Sequence, residues 1–123
     1  MNLVDSSGWM EYFADGKNAK HFAPAIQDLE NLAVSVINIY EVYKKILQHR
    51  DENSAVQAIA IMQQAEILEV TQQIAIDGAK ISIENEIPMA DSLIIATAKS
   101  VGAKIWTQDY DFKRFDNVMF FKK

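Results

Sequence analysis

At 123 residues, 50% hydrophobic and 24% charged, the chain has the composition of one globular domain, 1–123, with enough length to bury a core; a disordered chain is excluded. A formal net charge of −5 argues against gripping nucleic acid through a basic surface, but leaves open contact with phosphate through metal ions held by carboxylates. Cysteine is absent, which removes disulfide and thiolate chemistry and fits a cytoplasmic protein. No apolar run approaches the roughly 20 residues of a membrane span, and the N-terminus lacks the basic start and apolar segment of a signal peptide.

In chain order, Leu3-Val4 reads as a brief buried strand ending at Asp5, with Ser6-Ser7-Gly8 breaking it before a helix from Trp9 to Ala14. A second helix, Ala19 to Glu30, carries Phe22, Ile26 and Leu29 at helical spacing, with Pro24 tolerated near its start. Leu32 to Val36 is a strand apolar on both faces, as parallel strands are. Asn38 is the expected cap of a helix from Ile39 to Arg50, striped by Tyr40, Tyr43, Ile46 and Leu47. The next helix, Asn53 to Ala65, turns Val56, Ile59, Ala60 and Met62 inward, and Glu66 to Val70 reads as a strand. Thr71 caps a helix to about Asn85. Pro88 starts another, with Leu93, Ala96 and Val101 on its apolar stripe and Gly102 at its C-terminal end. Lys104 to Thr107 is a strand, Asp109 to Arg114 a short helical turn, and Val118 to Phe121 the last strand before a basic tail. Alternating strands and helices imply α/β architecture with a mostly parallel sheet of about five strands covered on both faces.

On that scheme four acids share one edge. Asp5 ends the first strand, Glu41 lies in the first turn of the helix after the second, Asp91 lies in the first turn of the helix before the fourth, and Asp109 follows the fourth. All fall at the carboxyl end of a parallel sheet, where open α/β sheets place ligands. Singly they read as caps or surface acids. Together they repel, and the arrangement becomes favourable around a divalent cation. All-oxygen donors select Mg²⁺ or Mn²⁺ over zinc. His21 and His49 lie outside the set.

Four stretches carry a family resemblance: Val4-Asp5-Ser6-Ser7-Gly8-Trp9-Met10-Glu11-Tyr12, Ser35-Val36-Ile37-Asn38-Ile39-Tyr40-Glu41, Pro88-Met89-Ala90-Asp91-Ser92-Leu93-Ile94-Ile95-Ala96-Thr97-Ala98, and Thr107-Gln108-Asp109-Tyr110-Asp111-Phe112. In order and over nearly the whole chain, they resemble the motifs of PIN-domain ribonucleases, most of all the small VapC-type toxins of toxin–antitoxin pairs. The resemblance implies a PIN-like three-layer α/β/α sandwich, Mg²⁺- or Mn²⁺-dependent cleavage of RNA, an antitoxin partner and a homodimer. Asp5, Glu41, Asp91 and Asp109 stand at the family's acidic positions.

For phosphodiester hydrolysis by water, Asp5 and Asp91 are expected to hold the main ion. Glu41 and Asp109 would complete its shell, bind a second ion or orient the water. Asp109 directly follows its strand and is the expected fourth ligand. Asp111, in the short helix beyond, should rotate away by roughly 200°, leaving it a second ion or an outer water. Ser6 and Thr107 are candidate hydrogen-bond donors to the acids, and Tyr12 and Tyr110 candidate base-stacking surfaces. A receiver-like phospho-acceptor is disfavoured: it needs adjacent acids after the first strand, and here Val4 precedes Asp5. A non-catalytic interaction module that keeps the fold is disfavoured by four intact acids.

Overall fold

The computed structural model describes the whole of Met1–Lys123. Five strands, β1 (Asn2–Val4), β2 (Leu32–Ser35), β3 (Glu66–Leu68), β4 (Lys104–Thr107) and β5 (Val118–Phe120), form one sheet in the order β3-β2-β1-β4-β5. Every pairing is parallel. Six helices connect them: α1 (Ser6–Phe13), α2 (Ala19–Gln27), α3 (Val36–His49), α4 (Glu52–Met62), α5 (Gln72–Asn85) and α6 (Met89–Ser100). No helix is long and apolar enough to cross a membrane.

The period of two along a strand sends neighbouring side chains to opposite faces, and two cores result. Val4, Leu32 and Val34 meet Trp9, Phe22, Val42 and Met62 from α1 to α4 on one face. Leu3 and Ile105 meet Ile74, Ile81, Ile94 and Ile95 from α5 and α6 on the other. This is the expected three-layer α/β/α sandwich. The chain runs from β1 to β2 and β3 on one side, then crosses to β4 and β5 on the other. The order of strand addition therefore reverses at β1, and it is there that side chains from several strand ends converge.

Several boundaries differ from the expected ones, for local reasons. Ser6-Ser7-Gly8 does not break the chain; it is the first turn of α1, because the Asp5 carboxylate caps that helix by accepting from the Gly8 N–H. Ser35, not Asn38, caps α3, and Asn38 closes a capping box by accepting from the Ser35 N–H. α2 ends at Gln27, followed by a 3₁₀ turn over Leu29–Asn31, and Pro24 lies inside it. The inward faces of two helices are also turned. On α3, Val42 and Ile46 are buried while Tyr40 is 62% exposed. On α4, Ala55, Ala58 and the expected Met62 face inward while Val56 and Ala60 are exposed. At the end of α6, Val101 is exposed and Gly102 takes a positive φ of 64°, the conformation glycine adopts without strain.

Candidate metal centre

Asp5 extends β1, its N–H donating to the Trp106 carbonyl at 3.0 Å. Its Oδ1 accepts from Ser7 Oγ at 2.7 Å and from the Gly8 N–H at 3.2 Å, and the residue is only 2% exposed. Because α3 begins at Val36, Glu41 lies in its second turn, and its Oε1 accepts from Ser6 Oγ at 2.6 Å. Asn38, one turn earlier on the same face, donates to Ser6 Oγ at 3.1 Å and so holds the hydroxyl toward Glu41. Asp91 lies in the first turn of α6, half-buried. Asp109 caps a 3₁₀ turn over Tyr110–Phe112; its N–H donates to Thr107 Oγ1 and its Oδ1 accepts from the Asp111 N–H, both at 2.9 Å.

Asp5, Glu41, Asp91 and Asp109 line one cleft of about 440 Å³ at the carboxyl end of the sheet. Asp111 departs from expectation. One carboxylate oxygen each from Asp91, Asp109 and Asp111 lie within 4.8 Å of one another. The 3₁₀ turn capped by Asp109 folds Asp111 back toward the cluster, where an ideal α-helix would have carried it away.

The electrostatics follow from burial and like charge. Burial, assisted by the Asp109 charge, raises the Asp5 pKa to about 7, against the opposing pull of hydrogen bonds from Ser7, Gly8 and Thr107. Asp91 is also raised to about 7, by desolvation first, then by Asp109, Asp111 and Glu41.

The donor set fits a hard divalent cation. Asp5, Glu41 and Asp109 each have their protein hydrogen bonds on one carboxylate oxygen, Oδ1, Oε1 and Oδ1 respectively. The second oxygen of each is left for an external ligand. Tethering one oxygen fixes the direction of the other, the usual role of groups behind a metal ligand. Histidine and cysteine contribute nothing to the cleft lining.

Ser6 is placed as expected, donating to Glu41. Thr107 Oγ1 accepts from the Asp109 N–H, lies 3.5 Å from Ser7 Oγ, and is also a hydrogen-bonding partner of Asp5. Sequence reasoning passed over Ser7, Asn38, Lys45, Gln108 and Asn18. Helical spacing from Glu41 was a usable signal for Asn38 and Lys45, three residues before and four after it. Gln108 and Asn18 meet at 2.9 Å across 90 residues, and no local pattern announces such a pair. His21 lies elsewhere, stacked on Phe121 with ring centroids 5.1 Å apart.

An all-parallel five-stranded sheet with carboxylates gathered at its switch point defines a class of acidic-site α/β proteins, and the family is identifiable. The family model described as PIN domain matches residues 3–118, and the chain belongs to the PIN domain family. Among solved structures, a toxin–antitoxin complex from Klebsiella pneumoniae superposes with a TM-score of 0.81 at 22% identity, covering 100% of both chains. VapC20 from Mycobacterium tuberculosis, titled a Sarcin-Ricin loop cleaving toxin, superposes at 0.75 with 17% identity over 96% of this chain and 98% of its own. VapBC2 from Rickettsia felis, bound to a DNA fragment from its promoter, gives 0.76 at 16% identity over 98% and 97%. The fold is thus shared with VapC-type toxins. No curated protein matches the chain in sequence.

Proposed function

We propose that this protein is a Mg²⁺- or Mn²⁺-dependent endoribonuclease, the toxin of a toxin–antitoxin pair acting in the cytoplasm. The observation that carries the reading is the convergence of Asp5, Glu41, Asp91 and Asp109 on one cleft, with Asp5 and Asp91 both raised to about 7. Such a cluster is unfavourable as bare carboxylates and favourable around a cation. Asp5, Glu41, Asp91 and Asp109 would hold the ion, with Asp111 close enough to join through Asp91. When bound, Mg²⁺ or Mn²⁺ supplies polarisation of a phosphoryl oxygen and a lowered pKa for water. The protein's part is to fix the carboxylates: Ser7 and Gly8 hold Asp5, Ser6 and Asn38 hold Glu41, and the 3₁₀ turn holds Asp109. Lys45, four residues after Glu41 on α3, lines the same cleft and offers a positive charge to an anionic backbone.

An apolar groove of about 290 Å³ between α1, α3 and α4, lined by Met10, Phe13, Ile46, Ala58 and Ile61, supports the antitoxin reading. Met10 and Ala14 line both groove and acidic cleft, so an amphipathic segment lying in the first reaches the second. Ile76 and Ile83, exposed seven residues apart on α5, support pairing with a second copy.

The test is cleavage of single-stranded RNA by purified protein with Mg²⁺ or Mn²⁺, with EDTA, and by Asp91→Asn. Cleavage that needs the metal and is lost in the variant supports the reading. Metal-dependent stabilisation without cleavage of any RNA would favour a non-catalytic module instead.

A further inference from the structure

Gln108 lies between Thr107 and Asp109, is only 7% exposed, and lines the acidic cleft. Its backbone N–H donates to Ser7 Oγ at 3.3 Å, the hydroxyl that itself donates to Asp5. Its side chain is fixed by Asn18, which is 4% exposed in the turn before α2. Asn18 Nδ2 donates to the Lys122 carbonyl at 3.1 Å and to Gln108 Oε1 at 2.9 Å. Its backbone N–H donates to Glu11 Oε2 at 2.8 Å.

These bonds settle which way both amides face. A backbone carbonyl only accepts, so the Asn18 atom beside Lys122 must be the nitrogen. That nitrogen has a second hydrogen, and the Gln108 atom facing it must be the oxygen. The Gln108 NH₂ therefore points the other way. Trp9 Nε1 is the single sealed side-chain polar atom without a partner. Gln108 Nε2 has no protein acceptor and is not sealed, and the residue lines the acidic cleft.

We infer that Gln108 is a substrate-binding residue, its NH₂ donating to a non-bridging phosphate oxygen of the nucleic-acid backbone, and that Asn18 is the positioning residue that aims it. This inference rests on the proposed phosphodiester substrate. A neutral donor suits this place. It binds an anionic oxygen beside the acids without forming the ion pair by which a lysine would neutralise Asp5 or Asp109. The sequestered Oε1 keeps the amide's negative end away from the phosphate. Ordinary glutamine freedom about its terminal torsion is removed by one buried hydrogen bond.

Two near-isosteric variants separate the roles. Gln108→Met removes the donor. Asn18→Asp replaces the aiming donor by acceptors, so Gln108 turns its NH₂ toward the substituted carboxylate and its oxygen toward the cleft. Each should raise the KM for single-stranded RNA about tenfold, as loss of a hydrogen bond to a charged group does, with kcat changed by less than about threefold. The same rise should appear in the Kd of a fluorescent single-stranded oligodeoxyribonucleotide with Mn²⁺. That arm reads phosphate binding even if the protein cleaves no RNA, so failure of the proposed activity and failure of this assignment are distinguishable. The third measurement needs no variant: the ¹⁵N side-chain amide signal of Gln108 in the wild-type protein should shift on adding that oligonucleotide. Wild-type Kd in Gln108→Met, or an unmoved amide signal at saturation, overturns the assignment. Loss of kcat at constant KM overturns it in favour of a role in the chemical step. Wild-type binding in Asn18→Asp overturns the aiming role.

Discussion

Asp5 holds its proton to about pH 7 because α1, β4 and its own cap leave it almost without solvent. In the unfolded chain the same carboxyl titrates near 3.9. Between those values the folded state binds more protons than the unfolded one, so the metal-free protein loses stability as pH rises from about 4 to about 7. The shift corresponds to at most about 4 kcal/mol. Asp91 shifts in the same direction. Asp5→Asn keeps an Oδ1 to accept from Ser7 and Gly8 but cannot ionise. In EDTA its melting temperature should exceed that of wild type at pH 8 and converge with it at pH 4; a lower value at pH 8 would refute the electrostatic account. The fourth proposed ligand carries a second prediction. Asp109 both faces the cluster and caps the turn, whereas Asp111 contributes only its carboxylate. Asp109→Ala should therefore cost more cleavage than Asp111→Ala, whose deficit should stay within about 10- to 100-fold and recover in part at high Mn²⁺. Rates of both variants across a metal titration decide it. The acids themselves were legible because topology alone places them. Asn18 and Gln108 were not, since their bonds join residues 90 and 101 positions apart, and Ser7 was hidden by the reading of Ser6-Ser7-Gly8 as a break.

At the scale of elements, the start of α1 shows what capping decides and periodicity does not. Ser6-Ser7-Gly8 has the composition of a break, yet the Asp5 cap turns it into helix and brings both serines to the acids. The glycine is there for space: a Cβ on Gly8 would meet Val4 Cγ1 at 2.6 Å and Phe22 at 2.8 Å. Gly8→Ala should lower stability by about 1–3 kcal/mol, measured by urea denaturation, and should reduce metal affinity because Asp5 moves with the cap. Unchanged stability would mean that α1 and α2 separate more readily than their packing implies. The order of strands and helices was readable throughout. The facing of α3 and α4 was not, because the neighbour each helix packs against is set by the sheet and not by its own residues. Tyr40 and Val56 fit an inward stripe by spacing, yet both are exposed while Val42, Ala55 and Ala58 are buried.

Over the whole molecule, groove and cleft lie side by side, with Met10 and Ala14 lining both. A partner held in the groove would reach the cleft across Met10 and Ala14, with no change in the sheet required. Ile61 lines the groove, is 42% exposed, and does not line the cleft. Ile61→Asp should weaken binding of a cognate antitoxin by about 10-fold or more and leave cleavage intact. Calorimetry with the purified partner, beside a cleavage assay, checks both halves. Equal binding by the variant would move the partner off this groove.

The central strand also precedes every other strand in order of synthesis, and this sets a schedule. Asn2 can pair with Leu32 as soon as β2 is available, but its other neighbour, Lys104, is 102 residues away, and Val4 waits for Trp106. Closing so long a loop is slow, and until it closes one edge of β1 lies bare. Asp5 then has neither the Trp106 carbonyl nor the Asp109 carboxylate beside it. A chain that ends before Lys104 carries Asp5, Glu41 and Asp91 but lacks Asp109 and β4, so the cleft is left without its fourth acid and one edge of β1 stays bare.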